Sequence, residues 1–228
     1  MRKILVLEDE ASIRGFVVVN LKRAGYEIIE AETGEEALKK LNENPDISVA
    51  LLDIMLPDID GFEVCRRIRV KNMNIGVIML TARAQELDKV TGLMTGADDY
   101  ITKPFSPTEL IARIDAVCRR VGIEDGASSN EIKSGDLILN LENRTLDKSG
   151  VRIRLTQVEY SVIKLFMENP AKALSREEIL NQVWGRDYFG ELKIVDVNIR
   201  RLRMKIEDDP TAPEYITTVW GYGYKWGS

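Results

Sequence analysis

Four short strand-like runs, each closing on a polar residue, constrain this chain most. Ile4-Leu-Val-Leu7 leads into Glu8-Asp9, and Val49-Ala-Leu-Leu52 leads into Asp53. Val77-Ile-Met-Leu80 leads into Thr81, and Asp99-Tyr-Ile-Thr102 leads into Lys103. Continuous Val/Ile/Leu runs separated by helix-length stretches are how buried strands of a parallel sheet read. Right-handed crossovers would then bring every strand's carboxyl end to one edge, where open α/β sheets hold their ligands. Three carboxylates, a hydroxyl and an ammonium at one edge make a place to bind a divalent cation and to receive a phosphoryl group.

The 228 residues suit two domains of about 100 residues each better than one core. With 44% hydrophobic and 30% charged residues, the composition is that of a folded globular chain. No apolar stretch approaches the roughly 20 residues of a membrane span, and the N-terminus has no signal-peptide layout, so no membrane association and a cytoplasmic location are expected. Cys65 and Cys118 sit at apolar helical spacings and read as small core fillers. The chain has no histidine, which excludes imidazole zinc sites, Ser-His-Asp triads and a phosphohistidine relay within the chain. The net charge of −5 is spread evenly, so any nucleic-acid contact needs a local basic patch.

Composition changes at the polar, Gly- and Ser-containing segment 122–130, expected to be a linker between domains 1–121 and 131–228. Before it, strand and helix patterns alternate. Thr33-Gly-Glu-Glu36 and Ser106-Pro-Thr-Glu109 fit capping boxes, and Gly25 fits a helix C′ position. After it come short alternating runs with turns at Ser134-Gly135, Glu142-Asn143 and Ser149-Gly150, expected to form an antiparallel sheet. Two further capping boxes, at Thr156 and Ser175, open amphipathic stretches; a helix is expected over 194–206, and a hairpin over 216–226.

Magnesium takes oxygen ligands and keeps several waters, so one or two carboxylates plus a phosphate oxygen suffice. Glu8, Asp9 and Asp53 supply the carboxylates. An aspartate can act as nucleophile and form an acyl phosphate. A cation and Lys103 can neutralise the incoming group while the Thr81 hydroxyl donates to one of its oxygens.

Val6-Leu-Glu-Asp-Glu10, Leu52-Asp-Ile-Met-Leu-Pro57, Asp60-Gly61, Leu80-Thr-Ala82, Gly96-Ala-Asp-Asp-Tyr100 and Lys103-Pro-Phe105 resemble a receiver domain. Leu155-Thr-Gln-Val-Glu159, Ser175–Leu180, Val183-Trp-Gly185, Val195-Asp-Val197 and Thr218–Tyr224 resemble a winged-helix output domain. Nearly the whole chain thus resembles a two-component response regulator of the OmpR/PhoB type. The fold implied is a doubly wound, parallel, five-stranded α/β receiver like flavodoxin and CheY, followed by an α+β winged helix-turn-helix.

The resemblance implies that Asp53 is the phosphoacceptor for a partner histidine kinase. It implies that Mg2+ is held by Glu8, Asp9, Asp53 and the Met55 carbonyl, that Lys103 contacts the phosphoryl group through a cis Lys103–Pro104 loop, and that Thr81 and Tyr100 switch together. It also implies a homodimer formed on phosphorylation, with Lys89, Asp99 and Asp98 of one chain pairing with Glu109, Arg113 and Arg120 of the other.

For the output domain, the basic helix supplies Lys193, Asn198, Arg200, Arg201, Arg203 and Lys205, five positive charges against Asp196 alone. The resemblance places this helix in the major groove of promoter DNA at tandem direct half-sites, and turns the 185–191 loop toward RNA polymerase. Where that family commonly carries a wing arginine, this chain has Trp220, so Trp220 and Lys225 are the wing residues expected near DNA. Two other readings carry different outputs. One is a receiver that binds a protein. The other is a magnesium-dependent aspartyl phosphatase of the haloacid-dehalogenase type, which usually places a second aspartate where Met55 stands.

Overall fold

This computed structural model describes residues 2–82, 96–121, 131–186, 188 and 190–227, and at 119–121 the backbone alone. The chain divides into two compact units, Met1–Val121 and Gly122–Ser228. The expected linker 122–130 lies outside the described residues.

The first unit is a five-stranded, all-parallel sheet of β1 (Lys3–Leu7), β2 (Glu27–Ala31), β3 (Ile47–Asp53), β4 (Gly76–Thr81) and β5 (Asp99–Thr102), in the order β2-β1-β3-β4-β5. Period-two alternation divides its side chains between two layers. Leu5, Leu7, Ala50, Leu52, Val77 and Met79 meet the helices α2 (Gly34–Glu43) and α3 (Gly61–Lys71), through Ala37, Val64, Cys65 and Ile68. Ile4, Val6, Val49, Leu51, Ile78, Leu80 and Ile101 meet α1 (Ala11–Arg23) and α4 (Pro107–Val121), through Val17, Leu21, Leu110, Ile114, Val117 and Cys118. Each such leucine or isoleucine contributes about 1.5–3 kcal/mol on burial. Both cysteines are free and buried, as expected of core fillers. The strand order reverses between β1 and β3, which opens the crevice at their carboxyl ends.

The second unit carries an antiparallel sheet of β6 (Glu131–Ser134), β7 (Leu137–Asn140), β8 (Thr145–Lys148) and β9 (Val151–Ile153). Helices α5 (Gln157–Glu168), α6 (Arg176–Val183) and α7 (Lys193–Ile206) follow, with β10 (Ala173–Ser175) between the first two. The hairpin β11 (Ile216–Val219) and β12 (Gly223–Trp226) pairs with β10 in the order β10-β12-β11. Trp184 and Phe166 are fully buried at the centre of this unit. This arrangement is a winged helix.

Thr156 and Ser175 each form a complete capping box. The other two form only half of one. Thr33 and Ser106 accept from the N3 amides, but the Glu36 carboxylate turns to the Glu32 amide and Lys40, and that of Glu109 to Arg113. In both, the N3 carboxylate meets donors other than the N-cap amide. Gly25 has φ +89° at the end of α1, as a C′ residue should. Among the described residues, no helix is long and apolar enough to cross a membrane.

Candidate functional site

The ends of β1 and β3 bring Glu8, Asp9 and Asp53 together, with a carboxylate oxygen from each within 4.8 Å of the others. Glu8 and Asp53 are 1% and 5% exposed, while Asp9 is open to solvent. Lys103 bridges the two buried acids, its Nζ 2.7 Å from Glu8 Oε2 and 3.0 Å from Asp53 Oδ2. Burial and the neighbouring Asp53 charge raise the Glu8 pKa above the usual carboxylate value, against the opposing pull of Lys103. Burial lowers that of Lys103, but its bonds to Glu8 and Asp53 outweigh this and hold the ammonium above its ordinary value.

Local sequence explains the placement. Asp60 caps α3 by accepting from the Glu63 amide at 2.7 Å. Gly61 starts that helix directly against the strand end, where an added Cβ would lie 2.0 Å from the Asp53 carbonyl oxygen. Only glycine allows the helix to begin this close to the acid. On the far side, β4 and β5 pair Thr81 with Thr102, and the Lys103 amide donates to the Thr81 carbonyl at 2.7 Å. Thr81 is fully buried. The Lys103–Pro104 peptide is cis. Tyr100 is half-buried and lies against the Leu52/Met79 layer.

A magnesium ion fits this set. All three groups are hard oxygen donors on two adjacent strand ends, and Glu8 Oε1 is buried without a hydrogen-bond partner. Such an orphaned carboxylate oxygen is costly unless a cation or water meets it.

The charges expected at a dimer face are arranged differently. Asp98 is 1% exposed and bound within the unit: Oδ2 accepts from Arg69 Nη2 and from the Val77 amide, both at 2.7 Å. Asp99 and Arg113, also buried, pair with each other at 3.1 Å, and Arg113 also holds Glu109 at 2.8 Å. Of the charges expected to pair across a dimer, Asp98, Asp99 and Arg113 are therefore buried and satisfied within the unit. Arg113 lies three residues after Leu110 and four before Val117, on the core stripe itself. Arg69 is absent from the sequence-based expectations, although it extends the buried stripe of Gly61, Val64, Cys65 and Ile68; a charge on a core stripe signals a buried partner. Lys89 and the Arg120 side chain lie outside the described residues.

The basic helix also differs from expectation. Lys193 and Arg200 are exposed, with Met204 beside them. Asn198 and Arg201 are 1% and 5% exposed. Asn198 lies four residues before Leu202, next to the core stripe, and donates to the Ile194 carbonyl. Arg203 donates to the Ile216 carbonyl at 2.6 and 2.8 Å and to Thr218 Oγ1 at 2.9 Å, so it braces the wing. Lys205 binds the buried Glu159 carboxylate at 2.6 Å. Asp196 accepts from Tyr224 Oη and Arg176 Nε, both at 2.7 Å, a second tie between helix and hairpin. At the wing tip Trp220 is 91% exposed, and Lys225 is half-buried on β12.

An acid pocket at the switch point of a 2-1-3-4-5 sheet, joined to a winged helix with a basic reading helix, defines a two-component response regulator with a DNA-binding output. Comparison with known proteins agrees over both units. Residues 4–115 match the response regulator receiver domain, and residues 150–226 match the transcriptional regulatory protein C-terminal domain. The response regulator DrrB of Thermotoga maritima, described as an OmpR/PhoB homologue, is 35% identical over all of both chains, with a TM-score of 0.52. Two point mutants of RitR align over all of both chains at 28% and 27% identity, with TM-scores of 0.77 and 0.75. The chain belongs to the OmpR/PhoB family of response regulators.

Proposed function

We propose that this regulator is switched by phosphoryl transfer to Asp53 and in that state binds promoter DNA as a dimer. The observation that carries the proposal is the pocket in which Lys103 spans two buried carboxylates, one of them with an orphaned oxygen. A carboxylate oxygen of Asp53 attacks the phosphorus of a histidine kinase's phosphohistidine. The N–P bond breaks, and its electron pair leaves with the imidazole nitrogen, which takes a proton from solvent. Glu8, Asp9, Asp53 and the Met55 carbonyl would hold Mg2+, which supplies charge neutralisation at the phosphoryl oxygens. Lys103 exchanges its hold on Asp53 for a phosphoryl oxygen, and the Thr81 hydroxyl donates to another. Tyr100 then turns into the space that Thr81 leaves.

The protein is a phosphoacceptor, not a turnover enzyme. Its phosphorylated form pairs through the face that carries Lys89, Asp98, Asp99, Glu109, Arg113 and Arg120. Since Asp98, Asp99, Glu109 and Arg113 are already ion-paired within the unit, pairing requires these bridges to exchange, and phosphorylation supplies the bias. On DNA, Lys193 and Arg200 meet the major groove at tandem direct half-sites, Asn198 and Arg201 are uncovered in the bound form, and the wing carries Trp220 and Lys225 alongside. The 185–191 loop is left to meet RNA polymerase. The test is peptide mapping after incubation with a small phosphodonor and Mg2+. Modification at Asp53, absent in Asp53→Asn, is expected; labelling of another residue in the wild type would overturn the assignment.

A further inference from the structure

Only three residues, Glu8-Asp9-Glu10, separate β1 from α1, and two of them are the acids of the pocket. All three of their carbonyls end on one residue. Arg14 Nη1 donates to Glu8 O at 2.8 Å and to Asp9 O at 3.3 Å, and the Arg14 backbone amide donates to Glu10 O at 2.9 Å. The other side of the guanidinium is anchored on β2 and the residue just past it: Nη2 lies 2.6 Å from Glu32 Oε1, and Nε 3.7 Å from Glu30 Oε2. The Arg14 side chain is only 12% exposed. The helix start offers the loop little else: Glu10, the N-cap of α1, makes no side-chain capping bond, and no acid stands in the first turn.

We infer that Arg14 is a positioning residue for cation binding: it fixes the peptide planes of the acid-bearing loop and so aims Glu8 and Asp9 into the pocket. A peptide plane sets the direction of the adjoining Cα–Cβ bonds, and an octahedral magnesium ion tolerates little angular error. Groups that orient metal ligands from behind typically change affinity by about 10–100-fold when removed. The inference rests on the magnesium site proposed above.

The sign of the effect separates positioning from simple charge. Arg14 is a cation beside a cation site, so by Coulomb's law alone its removal would tighten Mg2+ binding. Positioning requires the opposite. The experiment is calorimetric titration of the metal-free full chain with Mg2+, together with the rise in Tm that Mg2+ produces. Arg14→Ala is expected to weaken Mg2+ binding about tenfold and to shrink the Tm rise. Arg14→Lys keeps the charge but cannot fork between the carbonyls and the acids, so it should recover only part of the loss. Arg14→Gln also removes the charge but keeps more of the side chain, so it should weaken binding in the same direction, by less, where charge alone would tighten it; it serves as the deciding variant if Arg14→Ala does not fold. Unchanged or tighter Mg2+ binding in the folded variants, beside a wild type that binds Mg2+, would overturn the inference alone. A wild type that binds no Mg2+ and accepts no phosphoryl group would instead overturn the function it rests on.

Discussion

Lys103 is the cation that keeps two buried carboxylates, Glu8 and Asp53, side by side. Removing it leaves like charges facing each other in a poorly solvated space, which is the costly way to break a buried pair. Lys103→Gln should therefore lower stability by about 3 kcal/mol in metal-free buffer, and Mg2+ should restore much of it. Denaturant unfolding with and without Mg2+ measures both; a loss that Mg2+ does not touch would contradict this account of the pocket. The residues of this pocket are readable in the sequence because each lies at, or within two residues of, the carboxyl end of a buried strand. Asp98, Asn198 and Arg203 depart from the sequence-based expectation for one reason. Asn198 and Arg203 lie beside the core stripe of α7, and Asp98 lies just ahead of β5 between the buried Ala97 and Asp99, so the partner of each is inside the fold, and charge alone does not reveal that.

At the scale of elements, two contacts decide how the sites are held. The start of α3 lies against the end of β3, and a methyl group at Gly61 would meet the Asp53 carbonyl at 2.0 Å. Gly61→Ala should cost about 1–3 kcal/mol, as overfilled sites do, and should slow phosphoryl uptake by displacing Asp53. A phosphorylation time course beside a denaturation curve checks this, and an unaltered rate would show that the strand end tolerates movement. In the second unit, the hairpin is tied to α7 by Arg203 and by the Tyr224–Asp196 bond. Burial and the Asp196 carboxylate push the Tyr224 phenol up to about 12. A raised folded-state pKa stabilises while the phenol is protonated in both states. This contribution is full below the unfolded value near 10 and is lost as pH rises toward about 12. The stability of the second unit should decline across that window, and Tyr224→Phe should flatten the decline; identical alkaline profiles would remove Tyr224 as a tie. Element types are legible from capping boxes and periodicity. Whether a box closes fully is not, because it depends on which donors the fold brings to the N3 carboxylate, such as the Glu32 amide and Lys40 at Glu36 or Arg113 at Glu109.

For the molecule as a whole, the sequence order of motifs already separates two units, and the structure divides the chain at residue 121. How one unit's chemistry alters the other's binding is a property of neither alone. On the proposed function it is a population shift, and its size would equal the difference in phosphoryl-group affinity between the two states. The measurement that addresses it most directly is DNA affinity, at fixed salt, with and without a small phosphodonor and Mg2+, for the wild type and for Asp53→Asn. The account predicts that the phosphodonor tightens binding of the wild type and leaves Asp53→Asn unchanged. An equal response in both proteins, or none in a wild type shown to carry the phosphoryl group on Asp53, would contradict it.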